Sequence, residues 1–200
     1  MVDVLPTAFI FFAAAALTLV LPRSVRAPVL LIAPVLAAWQ VWTIPEGQLV
    51  TWSLMGLDLE LMRVDKLSRI FALIFSLAAF LGNLYAWHVR DPVQQIAALI
   101  YAGSAIGAVF AGDLISLFLY WEGTAIASVF LIWARRTEGA YYTGMRYLIV
   151  QIASGVILLA GAALYWRETG SLTFEAMTLG SLATWCIFLA FGIKAAFPLL

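Results

Sequence analysis

The sequence predicts an all-α membrane protein whose hydrophobic helices cross a bilayer six or seven times, and three observations predict it. Of the 200 residues 64% are hydrophobic and only 11% are charged, against roughly 25% charged in an ordinary soluble domain. The mean hydropathy is +1.01, more apolar surface than one soluble core of this size can hide. The charged residues are also confined to short stretches between long uncharged runs. Aromatics reach 14%, with eight Trp, a share that suits side chains anchored at two membrane–water interfaces.

A spanning helix needs roughly 20 mainly apolar residues. Val4–Leu21 is uncharged and stops at Pro22-Arg23. Ala27–Ile44 is uncharged and stops at Pro45-Glu46. Ile70–Trp87 is closed by His88, Arg90 and Asp91, and Pro92–Gly112 has no ionisable residue except Tyr101. Leu114–Ala134 contains Glu122 and ends at Arg135-Arg136, Tyr147–Trp166 carries no charge, and Ala176–Leu200 contains Lys194. Between the second and third runs the texture changes. Gln48–Arg63 alternates, as in Leu57-Asp58-Leu59-Glu60-Leu61, around Gly56; period two predicts a short β-hairpin on the membrane surface. The chain therefore divides into residues 1–64, with two helices and the hairpin, and residues 65–200, with the remaining five helices.

Orientation follows from the basic residues. Loops one, three and five carry Arg23, Arg26, Arg90, Arg135, Arg136 and Arg146, and the even loops carry Arg63, Lys66, Arg69 and Arg167. That bias places the odd loops in the cytoplasm and the N-terminus outside. Asp3, where a secretory signal would carry basic residues, marks the first run as a retained helix. The last run reaches Phe197-Pro198-Leu199-Leu200 without a polar stop, the pattern of a truncated chain.

Net charge is zero, which points away from nucleic acid. Cys186 has no partner for a disulfide and reads as a buried apolar thiol. No phosphate-binding glycine loop, no nucleophile with a base and no Cys/His cluster is present, so neither a cofactor nor a metal is expected.

Two charges inside hydrophobic runs carry the functional signal. Glu122 is nine residues beyond Asp113, about 14 Å deep at about 1.5 Å per residue. Lys194 lies within the seventh run, and Pro198 four residues later must interrupt that helix. Such charges are tolerable only facing protein or a water-filled cavity. Glu122 and Lys194 are thus candidates for a proton-transfer pair, with a static ion pair locking two helices as the competing reading. Asp113, after Gly112, reads as the cap of the fifth helix or as a group at an ion access point. Asp65 is placed to cap the third. Gln151, in the sixth run, either hydrogen-bonds across helices or lines a polar path. Gly155 and Gly161 in the same helix, and Gly103 and Ser104 in the fourth, read as close-packing residues. His88 reads as interfacial.

Three stretches in order resemble one family. RVDKLSRIFALIFSL (Arg63–Leu77) resembles the start of the third helix of antiporter-like membrane subunits, GDLISLFLYWE (Gly112–Glu122) is similar to their fifth-helix motif, and FGIKAAFPL (Phe191–Leu199) to their seventh. The family comprises large subunits of multisubunit Na⁺/H⁺ (Mrp-type) antiporters and proton-pumping subunits of respiratory NADH dehydrogenase. The resemblance implies that Glu122 is the essential glutamate, that Lys194 is the lysine whose proton affinity it controls, and that the seventh helix is discontinuous. It also implies that the chain holds only an incomplete first inverted repeat, with ion sites at mid-membrane. Gly123-Thr124-Ala125 departs from the bulky pair often found after the glutamate, and Lys194 and Pro198 are separated by three residues where many respiratory members have four. Those features, with Arg146–Leu148, lean toward the D-type antiporter subunit.

The resulting expectation is a transporter subunit rather than an enzyme, in a bacterial inner membrane. Its partners would be other hydrophobic subunits, the lipid bilayer, protons and a monovalent cation. The alternatives are a proton-translocating subunit of an NADH:quinone oxidoreductase or related redox complex, and a non-transporting scaffold subunit.

Overall fold

A computed structural model describes residues 4–54 and 56–197. It contains seven α-helices and one two-stranded hairpin. In chain order these are α1 (Ala8–Val20), α2 (Arg23–Thr43), β1 (Leu49–Leu54), β2 (Leu57–Arg63), α3 (Lys66–Tyr85), α4 (Pro92–Phe110), α5 (Leu114–Trp133), α6 (Glu138–Thr169) and α7 (Leu182–Lys194). Helices α2 to α6 are long and apolar enough to cross a membrane, whereas α1 and α7 have 13 residues each. The fold class read from the sequence is therefore met, with five full-length candidate spans and two shorter apolar helices.

Several boundaries differ from expectation, that of α7 among them, which starts at Leu182 rather than Ala176. α1 starts at Ala8 because Pro6 and Thr7 form its first turn, with Phe9 N–H donating to the Pro6 carbonyl at 2.9 Å. α2 runs from Arg23 through Pro28 and Pro34. α6 starts at Glu138, nine residues before the expected Tyr147, and spans 32 residues. Thr137 caps it, accepting from Ala140 N–H at 3.2 Å, and Gly170 closes it in the left-handed conformation (φ 74°). Apolarity marks only the bilayer-spanning part of such a helix; local capping sets its true ends.

The expected hairpin is present. β1 and β2 pair antiparallel from Leu49↔Arg63 to Leu54↔Leu57, with a bulge at Val50/Thr51 and Gly56 at φ 82° in the turn. Leu59, Leu61 and Met62 of β2 are buried. They close one end of the bundle, where Thr7 lies 3.8 Å from the Met62 sulfur and the Gly112 N–H donates to the Glu60 carbonyl at 2.9 Å.

The helices form two packed groups. One core joins α1 to α4 around Phe11, Ala37, Leu99, Ile106 and Phe110. A second joins α5 to α7 around Leu114, Trp121, Leu158, Ala162, Ile187 and Ala190, with Ala8 of α1 against it. The outward faces carry exposed Leu, Ile, Val and Trp, among them Trp39, Trp42, Ile70, Leu77, Ile149 and Val156, as lipid-facing helices require. An apolar cavity of about 690 Å³ lies between α1, the hairpin, α4 and α5. No carboxylate or basic side chain lines it.

Candidate functional site

Asp65 caps α3 in a reciprocal arrangement: its carboxylate accepts from Ser68 N–H at 2.7 Å, and the Ser68 hydroxyl accepts from Asp65 N–H at 2.9 Å. The Ser68 N–H holds the Asp65 carboxyl below its usual range. At the other end of the bundle, Asp91 caps α4 through Val93 N–H and pairs with Arg136 at 3.1 Å. Burial pushes the Asp91 carboxyl up, but hydrogen bonds from Val93 and Gln94 together with the Arg136 charge outweigh it, and the net direction is down.

Asp113 caps α5 and does more than cap it. One carboxylate oxygen accepts from Ile115 and Ser116 N–H, both at 2.8 Å. The other accepts from the Ser116 hydroxyl and from Glu60 N–H of β2, both at 2.6 Å. The group is 1% exposed. The adjoining Leu114 N–H donates to Leu172, so α5, the hairpin and the α6–α7 loop meet here. Every good acceptor direction of this carboxylate is taken.

Glu122 lies about two and a half turns further along α5, and its surroundings differ in kind. Its Oε1 is buried and has no hydrogen-bond partner among the described residues. The carboxylate points at α6, where it occupies the space a Cβ on Gly155 would need. Gly155, read from sequence as a packing glycine, is thus also what lets this carboxylate fit.

Lys194 is the last residue of α7, where Ala196 turns left-handed (φ 53°). The helix therefore ends after 13 residues, about 20 Å along a hydrocarbon core of about 30 Å. Pro198, singled out as the helix break, lies outside the described residues. Lys194 Nζ donates to the Trp121 carbonyl at 3.3 Å and stands 4.8 Å from the centre of the Trp121 ring. That ring meets Phe191 edge-on at 5.0 Å. Lys194 is thus held by the residue adjacent to Glu122. Among the described residues the two charges form no ion pair within 4.0 Å.

Gln151 faces the same junction, and its Oε1 is also buried without a partner among the described residues. Ser154 donates to the Ala190 carbonyl of α7 at 3.0 Å. Trp121 was missed by sequence reasoning; its signal was a tryptophan next to a charge in mid-span rather than at an interface. His88 is exposed at the end of a short 3-10 turn against Tyr85. Among the described residues no three His, Cys, Asp or Glu side chains gather as metal ligands.

These features define a class: a polytopic helical membrane protein with a carboxylate on α5 and an amine at the end of α7 on either side of Trp121. Residues 111–200 match the family described as NADH:quinone oxidoreductase/Mrp antiporter, TM. Na(+)/H(+) antiporter subunit A1 of Staphylococcus aureus is 29% identical over 129 residues, 61% of this chain and 16% of the relative. The same alignment recurs across several strains of that species. The chain thus spans about a sixth of the length of the curated relatives it matches. Among solved structures, a chain of the Mrp complex from Dietzia sp. superposes with a TM-score of 0.80 at 24% identity, covering 94% of this chain and 23% of that one. A chain of respiratory complex I from Thermus thermophilus gives 0.79 at 20% identity, covering 95% and 44%. A chain of the archaeal membrane-bound sulfane sulfur reductase gives 0.80 at 22%, covering 94% and 33%. The resemblance to antiporter-like membrane subunits read from the three motifs is borne out, over part of such a subunit. The S. aureus relatives are A1 subunits, where Gly123–Ala125 and Arg146–Leu148 had suggested the D type.

Proposed function

We propose that this chain forms part of a membrane subunit of a multisubunit monovalent cation (Na⁺)/proton antiporter in a bacterial inner membrane, with its N-terminus outside. Protons move through a half-channel in which the charge state of Glu122 governs that of Lys194. The observation that carries the reading is the Glu122 carboxylate, whose buried Oε1 has no partner among the described residues, one residue from the carbonyl that holds Lys194.

An ionised carboxylate without partners costs several kcal/mol in low dielectric, so this site favours a change of protonation or a move toward the amine. When the carboxylate swings toward Lys194 the ammonium is stabilised; when it turns to α6 the ammonium keeps only the Trp121 carbonyl and ring. The proton on the amine is then easier to release. Trp121 stands between the two positions as the resting place of the lysine. Asp113 anchors the helix that carries the glutamate. Other hydrophobic subunits complete the complex, and the S. aureus relatives support that assembly.

The test is antiport in everted vesicles carrying the full-length protein. Loss of antiport in both Glu122→Gln and Lys194→Ala at normal expression supports the mechanism; full antiport in both overturns it. A second reading, a proton-translocating subunit of an NADH:quinone oxidoreductase or related redox complex, is favoured by the fit to the Thermus complex I chain. Co-purification with flavin and iron–sulfur subunits would select it; purely hydrophobic partners would select the antiporter.

A further inference from the structure

Of seven buried side-chain polar atoms without a partner among the described residues, three lie where α5, α6 and α7 meet: Trp121 Nε1, Glu122 Oε1 and Gln151 Oε1. Trp121 and Glu122 belong to the site already described. Gln151 has no part in the mechanism given above, and it is the only one of the three on α6.

Packing fixes its level in the bundle. Gly144 of α6 faces Trp133 of α5, and Gly155 faces Glu122. The spacing of eleven residues is the same on both helices, so they run antiparallel without slipping. Gln151 is one turn before Gly155 on that face, about 5–6 Å from the position against which the carboxylate rests. On the other side, Ser154 bonds to Ala190 of α7. Gln151 lies three residues before Ser154 and Lys194 four residues after Ala190, which in an antiparallel pair is displacement in the same direction. Gln151 is therefore level with Lys194 and one turn from Glu122.

We propose that Gln151 is a positioning residue for proton transfer between Glu122 and Lys194. Its amide is at the level of an acceptor on α5 and a donor on α7 and can serve both, directly or through one bound water. With the carboxylate turned to α6, where its Oε1 has no direct partner among the described residues, the NH₂ donates toward it through a bound water. The oxygen accepts from the ammonium, or from a water hydrogen-bonded to it, when Lys194 leaves the Trp121 carbonyl. No proton passes through the amide itself; Gln151 orients the groups and the water that carry it. A buried amide oxygen left without a partner costs free energy, so a permanent packing role would leave that cost uncompensated. The ionisable groups around this position are Glu122 from α5, Lys194 from α7 and Tyr147 one turn earlier on α6 itself.

This inference rests on the proton-transfer reading of Glu122 and Lys194, and the experiment separates the two. The complete protein in its native complex is reconstituted in proteoliposomes, and proton flux is followed across a pH series for wild type, Glu122→Gln, Gln151→Met and Gln151→Glu. Met matches Gln in shape but neither donates nor accepts strongly. The expected result is about a tenfold loss of flux in Gln151→Met, with assembly intact. Gln151→Glu should retain flux well above Gln151→Met with a displaced pH profile. Should Gln151→Met fail to assemble, Gln151→Asn, which withdraws the amide by one methylene, is read by the same criterion. Wild-type flux and an unchanged pH profile in the Met (or Asn) variant overturn the role of Gln151, provided that Glu122→Gln is inactive. Full flux in Glu122→Gln overturns the underlying reading, and the inference with it.

Discussion

Asp113 and Glu122 are two carboxylates on one helix, nine residues apart, and their surroundings are opposite. Asp113 accepts four hydrogen bonds from two elements and is 1% exposed. Glu122 has a buried oxygen with no partner among the described residues and rests against a glycine on the neighbouring helix. Both departures from an apolar helix cost desolvation. Only the first is repaid locally by bonds that hold the fold together. A fully bonded carboxylate has one position and one stable charge state; an unpartnered one is free to change both. That contrast distinguishes a structural acid from one available for chemistry.

The largest stability effect should fall on Asp113. Asp113→Ala strands the N–H groups of Glu60, Ile115 and Ser116 and removes one of the ties between the hairpin and α5, a loss on the order of 3–5 kcal/mol. Thermal unfolding of the purified protein in detergent should show it as a strongly lowered Tm, while Asp113→Asn, which keeps an acceptor, should lose less. If Asp113→Ala melts as wild type does, the structural half of the contrast fails.

Gly155→Ala should come next and act on the other carboxylate. The new Cβ collides with Glu122, so overpacking should cost about 1–3 kcal/mol and turn the carboxylate away from α6. Proton flux should fall more steeply than stability. A variant with full flux would show that the position of Glu122 against α6 is immaterial.

A smaller effect is expected at Trp121. Trp121→Leu removes the ring beneath Lys194 but keeps the backbone carbonyl, so the amine should lose about 0.5–2 kcal/mol of cation–π stabilisation. The pH profile of transport should move toward acid, because a less stabilised ammonium releases its proton at lower pH.

Asp65 supplies the smallest effect and a control at the membrane surface. Asp65→Ala should cost about 1 kcal/mol through the lost cap. The bound Ser68 N–H lowers the Asp65 pKa from the ordinary 3.8. Its contribution is therefore present above the unfolded-state value and is lost as pH falls through the lower folded-state value. The melting difference between Asp65→Ala and wild type should be full at neutral pH and shrink below about pH 4; transport should not change.

Much of this contrast was legible in the sequence. Glu122 and Lys194 stand out because hydrocarbon makes any charge conspicuous, and the hairpin announces itself by its period of two. The ends of α6 were hidden because its first turns carry Glu138, Tyr141, Tyr142 and Arg146, a polar stretch that reads as a loop until its Thr137 cap is seen. The Trp121 carbonyl was invisible because backbone groups leave no mark in composition. That Gly155 meets a carboxylate, and that Gln151 is level with Lys194, depend on helix registers that only packing fixes. Asp113 was open between a cap and an ion access point; its four hydrogen bonds place it as a cap and as a tie to the hairpin.

The most direct measurement pairs stability with transport in one variant. Glu122→Gln in the full-length protein removes the charge with almost no change in shape. The account predicts a Tm equal to or above that of wild type, because an unsupported buried charge is gone, together with proton flux reduced by a hundredfold or more, about 2.7 kcal/mol or more in the barrier. A lowered Tm with flux preserved would contradict it, making Glu122 a second structural acid like Asp113.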